Sequence, residues 1–430
     1  MLKHAIIILL VYAIALTGCN KSSTSSQAAE SEAGIVTASV RARIDSTLQA
    51  MVDSGAIAGV SALIVENDKE VYFNAFGMAD IENGAKMDRD VITRIFSMTK
   101  PVTGVALMQL YEKGAFQLDD PLSKYAPEFA DVKVFAGVDE NGKVKLESPK
   151  RPITIRDITR HTAGFANGDH PHLGSLVSEA NAMDPGNTLA QMAKKLSGIP
   201  LAFHPGEEWS YGISVDVQAY LVELLSKEPF DQYIQKNILD PLGMSNTAYV
   251  TTNPEKLAAV YRKNEDGKLV RVPDETANAF NSKPWPLKPG GYGLTSTVDD
   301  YMKFARMLVN EGSFNGATIL KPETVKLMAT NHLSDSVTSR MWLPSKGQVG
   351  FGIDFAVRLR PAQSAEENVG TVGEFFWDGA ASTLFWVDPK NKLSAVLFVQ
   401  IFPFDRKLHK VFRDAIYGPY EEGGQVATLP

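Results

Sequence analysis

Ser97 and Lys100 form the one Ser-x-x-Lys sequence in this chain of 430 residues. They precede an apolar run at residues 102–111, which indicates a buried helix, and Pro101 suits the first turn of that helix. Helical spacing places the lysine on the same face as the serine. N–H groups at a helix start favour an alkoxide on Ser97, burial disfavours a charged Lys100, and a neutral amine is a general base. The pair predicts a serine nucleophile activated by a lysine; the alternative is a serine N-cap followed by a surface lysine.

Tyr211 lies in the sequence Trp-Ser-Tyr-Gly-Ile-Ser at residues 209–214, directly before a segment with helical spacing of its apolar residues. A phenol in this loop is suited to relay a proton between the nucleophile and the leaving group. The alternative for Tyr211 is a packed aromatic side chain with a satisfied hydroxyl.

A turn of small residues, Gly-Ala-Ala-Ser at 379–382, follows Trp377 and Asp378 at the entry to a predicted hairpin. Small residues let a backbone approach a ligand closely. The N–H of Ala380 is therefore a candidate to form an oxyanion hole with the N–H of Ser97. A glycine that only permits a β-bulge is the alternative.

In their order along the chain, these motifs resemble the class C β-lactamase and penicillin-binding-protein-like superfamily of serine hydrolases. Residues 160–165 resemble its His-Thr-Ser/Ala-Gly segment, and residues 290–297 resemble its Gly-x-Gly-Leu-x-Ser-Thr helix entry. The similarity covers about residues 36–417, and within the superfamily it is greatest to family VIII carboxylesterases. The resemblance implies an acyl-enzyme mechanism on Ser97 that needs no metal or organic cofactor.

The predicted substrate pocket comprises Ile213, Trp377, Asp378 and Gly379, and it departs from the family pattern at two places. Ile213 stands where the β-lactamases have Asn, and Trp-Asp-Gly stands in place of Lys-Thr-Gly. The family's lysine supplies a positive charge for a substrate carboxylate; Trp377 lacks it, and Arg340 is a candidate to replace it. The resemblance therefore implies hydrolysis of uncharged short-chain carboxylic esters. A β-lactamase or D-Ala-D-Ala carboxypeptidase is the alternative, and a non-catalytic binding lipoprotein is the remote one.

Sequence typical of β-strands lies at both ends of the folded region, and helical sequence lies between them. The predicted fold is α+β, of the β-lactamase/transpeptidase type, with one antiparallel sheet built from both termini and flanked by helices. The domain is predicted to cover residues 36–422, with a mostly helical lobe inserted at about 116–289. The predicted elements are a helix at 36–51, strands at 58–65 and 70–76, a hairpin at 383–387 and 393–400, and a closing helix at 406–417.

Residues 1–19 indicate a secretory signal that ends in a lipobox. The apolar run at 5–16 is too short to span a bilayer, and its last residue begins the sequence Leu-Thr-Gly-Cys at 16–19. Cys19 is the one cysteine in the chain, so it is the predicted lipidation site and the mature protein has no internal disulfide; a plain signal peptide is the alternative. Residues 20–35 are a predicted flexible tether. The predicted location is the cell envelope, lipid-anchored and facing the periplasm, at the outer membrane because Asn20 is not Asp.

Composition and the remaining motifs argue against other classes. A net charge of −7 does not suit a nucleic-acid binder, and the chain lacks Gly-x-Ser-x-Gly. Residues 137–144 have the spacing of a phosphate loop but end in Val, and Asn141-Gly142 predicts a hairpin turn instead. Residues 169–172 offer Asp and two His without a recognisable third metal ligand, and His204 has no obvious acidic partner for a catalytic triad.

Overall fold

The computed structural model describes residues 34–251 and 253–422. The predicted signal sequence at 1–19, including Cys19, and most of the predicted tether at 20–35 lie outside the described residues. The domain boundary at residue 36 stays a prediction. Within the two described ranges, no helix is long and apolar enough to cross a membrane.

Strands and helices follow one another along the chain, and most of them are short. In chain order the strands are β1 (Gly59–Glu66), β2 (Lys69–Asp80), β3 (Ala85–Lys86), β4 (Thr93–Arg94), β5 (Val134–Val138), β6 (Val144–Glu147), β7 (Tyr261–Lys263), β8 (Leu269–Arg271), β9 (Thr295–Ser296), β10 (Ser313–Phe314), β11 (Ala317–Thr318), β12 (Val349–Phe351), β13 (Ala356–Arg358), β14 (Phe375–Asp378), β15 (Leu384–Asp388), β16 (Leu393–Phe398) and β17 (Ile401–Phe402). The helices are α1 (Ala38–Asp53), α2 (Thr99–Glu112), α3 (Ile155–Thr159), α4 (Gly174–Ala180), α5 (Leu189–Leu196), α6 (Ser214–Ser226), α7 (Phe230–Ile234), α8 (Asp240–Leu242), α9 (Asp274–Ala277), α10 (Val298–Val309), α11 (Pro322–Met328) and α12 (Arg406–Tyr417).

An eight-stranded antiparallel sheet is the centre of the fold. Its order is β12-β13-β14-β15-β16-β1-β2-β3. β1 is buried along its whole length and pairs with β16 on one side and β2 on the other. Its nearly continuous apolar sequence is what a strand covered on both faces requires. The predicted sheet built from both termini is therefore confirmed.

Helices from both ends of the described chain cover this sheet. α1 packs against α12, and α10 packs on β1, β15 and β16. The apolar residues of α1 have the predicted helical spacing. The Thr37 hydroxyl caps the N-terminus of this helix by accepting the Val40 N–H. α12 begins after Asp405, whose carboxylate accepts the Lys407 N–H at 2.9 Å, and it has the predicted bounds. The buried residues of α1 are Val40, Ile44, Leu48 and Met51.

α2 is buried on almost every side and packs against α6 and α7. A helix without a polar face is a core helix, as its sequence predicts. Gly114 follows its end with a φ of +71°, a left-handed conformation that glycine adopts without strain. This buried helix carries Lys100 in its first turn.

Helices predominate in the region at 116–289, as the sequence predicts, and two short hairpins accompany them. β5 and β6 form one hairpin, and β7 and β8 form another that pairs with β17. The first hairpin turns at Asn141-Gly142, as predicted, with Gly142 at a φ of +78°. Each of these strands has only three to five residues, some of them exposed. Strands of this length are too short to show a clear alternation of polar and apolar residues in the sequence.

Candidate active site

Ser97 lies on a single 3₁₀ turn, Phe96–Met98, that leads into α2. Phe96 has a φ of +44°, in the left-handed region that residues with side chains rarely adopt. The Tyr301 hydroxyl holds this turn by donating to the Met98 carbonyl at 2.8 Å. The N-cap of α2 is Met98, so Ser97 does not cap the helix. Strained backbone persists where the surrounding structure enforces it, and it is often found at functional sites. The residue after the strained Phe96 is Ser97, which lines a cavity.

Lys100 is buried, with only 5% of its surface exposed, and its Nζ lies 3.3 Å from the Ser97 Oγ. The same nitrogen donates to the Gly291 carbonyl at 2.7 Å. It also lies 4.5 Å from the centre of the Tyr211 ring. The structure thus brings the predicted serine, lysine and tyrosine together, and Lys100 is not a surface lysine.

Two buried carboxyl groups, Asp216 and Asp354, interact electrostatically with Lys100. Burial raises the pKa of Asp216 to about 6, although the charge of Lys100 and the Gly291 N–H, 2.9 Å from the carboxylate, oppose this rise. Burial also raises the pKa of Asp354, against the Gln218 amide, which donates to it at 3.0 Å. Lys100 therefore has acidic neighbours that keep their protons to higher pH than exposed carboxyls do.

Tyr211 belongs to a cluster of aromatic side chains as well as to the surroundings of Lys100. Its hydroxyl accepts the Trp377 Nε1–H at 3.3 Å. Its ring centre lies 4.8 Å from that of His161 and 5.1 Å from that of Trp342. His161 is fully buried, and burial lowers its pKa well below the usual value, so its ring is neutral. The two interpretations of Tyr211, packed aromatic and proton relay, are compatible.

The turn at 379–382 lies against the chain just before Ser97. A Cβ atom on Gly379 would stand only 2.5 Å from the Ile95 carbonyl oxygen, so this approach requires glycine. The Gly379 N–H donates to the Thr383 carbonyl at 2.9 Å, which closes the turn. Ser97 and Ala380 line the same cavity. The glycine thus permits a close approach between the two segments that carry the predicted oxyanion-hole N–H groups.

The cavity has a volume of about 770 Å³, within the usual range for small-molecule sites. Asp378 lies in its wall, as predicted. The three other predicted pocket residues do not line it: Trp377 is buried beside Tyr211, Gly379 lies against the Ile95 carbonyl, and Ile213 precedes α6. Apolar and aromatic side chains of the wall are Trp342, Pro344, Phe376, Leu384 and Phe404.

Basic residues are present in this wall, although Arg340, the one proposed from the sequence, is not among them. Arg340 donates to the carbonyls of Val337 and Ser334 and does not line the cavity. Lys346 lines it and forms an ion pair with Asp378. The sequence could not indicate this lysine, because only the fold brings it to β14.

The histidines set aside from the sequence have other partners. His170 and His172 pack their rings against Phe135. His204 does have an acidic partner, Glu147 at 3.0 Å, which the sequence does not indicate, but neither residue lines the cavity that contains Ser97. Across 34–251 and 253–422, no group of three or more His, Cys, Asp or Glu side chains is arranged to hold a metal ion.

Comparison with known proteins finds relatives that align with most of this chain. Protein Rv1367c of Mycobacterium tuberculosis is 33% identical over 364 residues, which cover 83% of this chain and 89% of that protein. The lovastatin esterase of Penicillium rubens is 28% identical over 409 residues, which cover 88% of this chain and 98% of the esterase. The solved structure of EstCE1, a hydrolase with promiscuous acyltransferase activity, is 26% identical with a TM-score of 0.74, covering 88% of this chain and 99% of its own.

A family model described as Beta-lactamase matches residues 44–417. The resemblance drawn from the motifs is confirmed by this match, and the α+β fold is that of the β-lactamase-like proteins. On these grounds the chain belongs to the beta-lactamase family.

Proposed function

We propose that this protein is a serine hydrolase that cleaves carboxylic esters through an acyl-enzyme intermediate on Ser97. The observation that carries the proposal is the 3.3 Å separation of the Lys100 Nζ and the Ser97 Oγ at the wall of a 770 Å³ cavity. A nucleophile and a base within hydrogen-bond reach, with a third group beside the base, are the parts that acyl transfer needs. Tyr211 is that third group.

In the proposed reaction, Ser97 Oγ attacks the ester carbonyl carbon while Lys100 and Tyr211 take up its proton. The N–H groups of Ser97 and Ala380 stabilise the oxyanion that forms. The carbon–oxygen bond then breaks, and the alcohol leaves with that proton. Water then attacks the acyl carbonyl carbon and gives a proton to the same base. The bond between that carbon and Ser97 Oγ breaks, Oγ takes the proton from the base, and the carboxylic acid leaves.

Two relatives support an ester substrate. One is the lovastatin esterase, and the other is EstCE1, a hydrolase. The cavity wall contains charged residues, but its apolar and aromatic side chains offer an uncharged ester a surface to pack against. A short acyl chain stays a prediction, since 770 Å³ also has room for a larger acyl or alcohol group.

Covalent labelling tests the proposal. A fluorophosphonate probe should add one mass increment to the intact protein, because it reacts with an activated serine hydroxyl. Ser97→Ala should lose this adduct. Ser345→Ala, which removes another hydroxyl from the same cavity wall, should keep it. An adduct of equal yield on Ser97→Ala would contradict the proposal.

Acyl transfer to an alcohol is a second candidate function. The cavity has room for an alcohol beside the acyl-enzyme, and the structural relative EstCE1 has promiscuous acyltransferase activity. Hydrolysis of p-nitrophenyl butyrate in the presence of a primary alcohol separates the two activities. A butyrate ester that accumulates only with intact Ser97 supports transfer, and butyric acid as the sole product opposes it.

We also propose that Cys19 carries a lipid and anchors the protein at the cell envelope, facing the periplasm. The lipobox sequence and the lack of a second cysteine support this assignment. More than one acyl chain gives stable anchoring. Fractionation should find the wild type with the membrane and Cys19→Ala released from it; unchanged membrane association of the variant would contradict the proposal.

A further inference from the structure

Lys346 and Asp378 form a nearly buried ion pair in the wall of the catalytic cavity. Their side chains are only 9% and 10% exposed. Aromatic rings surround the ammonium group: its nitrogen lies 5.1 Å from the Trp342 and Trp377 ring centres and 5.0 Å from that of Phe404. Water therefore screens this pair far less than it would a surface pair.

The pair is close to the reacting groups. Trp377, whose ring Lys346 faces, donates its indole N–H to the Tyr211 hydroxyl at 3.3 Å. The Tyr211 ring in turn lies 4.5 Å from the Lys100 nitrogen. A substrate held at Ser97 thus shares its cavity with both charges of the pair.

Neighbouring titratable groups do not substitute for this lysine. His409 lines the same wall, and burial lowers its pKa to about 4, so it is uncharged at neutral pH. Arg413 is buried and donates to the Glu374 carboxylate at 2.7 Å. Three other basic residues of the wall are exposed or paired: Arg406 and Lys407 are exposed, and Lys410 donates to the Asp414 carboxylate at 2.7 Å. Lys346 is therefore the nearly buried cation of the wall that lies beside Trp377, and Asp378 already pairs with it.

We propose that Asp378, by pairing with Lys346, makes the active site select esters whose acyl group is uncharged. An anionic acyl group would have to displace the Asp378 carboxylate or place a second negative charge around one ammonium in a poorly hydrated site. Specificity of this kind arises from repulsion of the unwanted substrate as much as from contacts with the preferred one. The inference rests on the proposed ester hydrolysis and names its substrate class.

Two matched esters test the inference at pH 7.5: p-nitrophenyl pentanoate and mono-p-nitrophenyl glutarate, which has the same five-carbon acyl chain ending in a carboxylate. The wild type should favour the neutral ester by about 10² or more in kcat/KM. Asp378→Asn should lower this preference at least about tenfold, by raising kcat/KM for the glutarate ester. The kcat/KM for the pentanoate ester also shows whether the variant is folded.

Glu228→Gln is the matched control. It also removes one carboxylate from a lysine ion pair, with Lys236 at 3.1 Å, but neither residue lines the catalytic cavity. Its preference should equal that of the wild type. A change as large as that of Asp378→Asn would assign the effect to net charge and overturn the inference.

Lys346→Gln tests the same inference if Asp378→Asn does not fold. Without the ammonium, the Asp378 charge stands alone, so the preference for the neutral ester should rise; an unchanged or lower preference overturns the inference. A wild type that hydrolyses both esters equally well also overturns it, while leaving ester hydrolysis intact. Absence of any Ser97-dependent hydrolysis would instead overturn the proposed function, and the inference with it.

Discussion

At the scale of single residues, Lys100 is the group on which the proposed chemistry depends most. Its Nζ donates to the Gly291 carbonyl at 2.7 Å and to the Ser97 Oγ at 3.3 Å. A base in this position has to alternate between two protonation states. A guanidinium keeps its charge, so arginine cannot perform this role.

Lys100→Arg should therefore lower kcat for p-nitrophenyl butyrate by about 10² or more. Steady-state kinetics on the purified variant measure this effect. Lys113→Arg, at the end of the same helix, is the control and should retain the wild-type rate, since its Nζ lies 5.8 Å from the Tyr233 ring centre and outside the cavity. A rate near that of the wild type in Lys100→Arg would mean that another group is the base.

Tyr211 allows its two interpretations to be separated. Tyr211→Phe keeps the ring that packs against His161 and Trp342 but removes the hydroxyl bonded to Trp377. If the hydroxyl relays protons, kcat should fall by about 10² while the melting temperature changes little. Tyr233→Phe is the control, because its buried hydroxyl has no hydrogen-bond partner in the described chain, and it should keep full activity. A large loss of melting temperature in Tyr211→Phe, with kcat preserved, would favour packing alone.

The residues of the site divide into those that the sequence could indicate and those that it could not. Ser97 and Lys100 are three residues apart on one helix, so local spacing predicts their contact. Asp354 interacts electrostatically with Lys100, and Lys346 pairs with Asp378, only because distant strands and loops converge. The sequence suggests Arg340, but Lys346 is the residue that lines the cavity. Nothing in the sequence of this long loop indicates which of its basic side chains faces the cavity.

At the scale of elements, α2 needs a glycine at its centre. A Cβ atom on Gly104 would stand 2.6 Å from the Asp354 Oδ2 and 3.2 Å from its Cβ. Asp354 is fully buried and tied to Gln218, so it has little freedom to move away. Gly104 thus lets the carboxyl group approach the helix that carries Lys100.

Gly104→Ala should lower the free energy of unfolding by about 1–3 kcal/mol, because overpacking outweighs the helix propensity of alanine. Urea denaturation measures the change. Gly198→Ala is the control: its added Cβ would meet nothing closer than the Lys195 carbonyl oxygen at 3.5 Å, and it should be close to neutral. A stabilised Gly104→Ala would show that Asp354 can relax without cost.

Helices with one apolar face and hairpins with long strands could be predicted; short strands could not. α12 has its predicted bounds because a strong amphipathic pattern and the Asp405 cap define it. The sequence does not predict β12, β13 and β14 as strands, since each has only three or four residues. It indicates only that the end of β14 leads into the late hairpin. Their pairing depends on neighbouring strands rather than on an alternation of their own.

At the scale of the whole molecule, the sheet explains why the two halves of the site come from opposite ends of the chain. β1 and β16 pair at the centre, and β15 and β14 follow outward. The turn that follows β14 therefore reaches the Ile95 carbonyl, just before Ser97.

The same assembly buries His409 against the turn that follows β14, which links the stability of the fold to pH. Its Nε2–H donates to the Ser382 carbonyl at 2.8 Å, and its ring centre lies 4.9 Å from that of Phe404. Burial lowers the pKa of His409 from 6.5 to about 4, although the nearby Asp378 charge opposes the shift. Between these values the unfolded chain binds a proton that the folded protein does not, so stability falls as pH decreases through this range.

His409→Gln should therefore gain stability relative to the wild type on going from pH 8 to pH 5, by about 2 kcal/mol in the free energy of unfolding. Glutamine retains a donor for the Ser382 carbonyl but does not titrate, so the penalty of protonation disappears. Phe116→Leu is the control, because it removes a buried ring that contacts Tyr111 and not His409, and its free energy of unfolding should differ from that of the wild type by the same amount at both pH values. Urea denaturation of the three proteins at pH 8 and pH 5 measures the differences. If the free energies of unfolding of the wild type and His409→Gln differed by the same amount at pH 8 and pH 5, His409 would titrate in the folded protein as it does in the unfolded chain. Any acid sensitivity of the fold would then have to arise from another group.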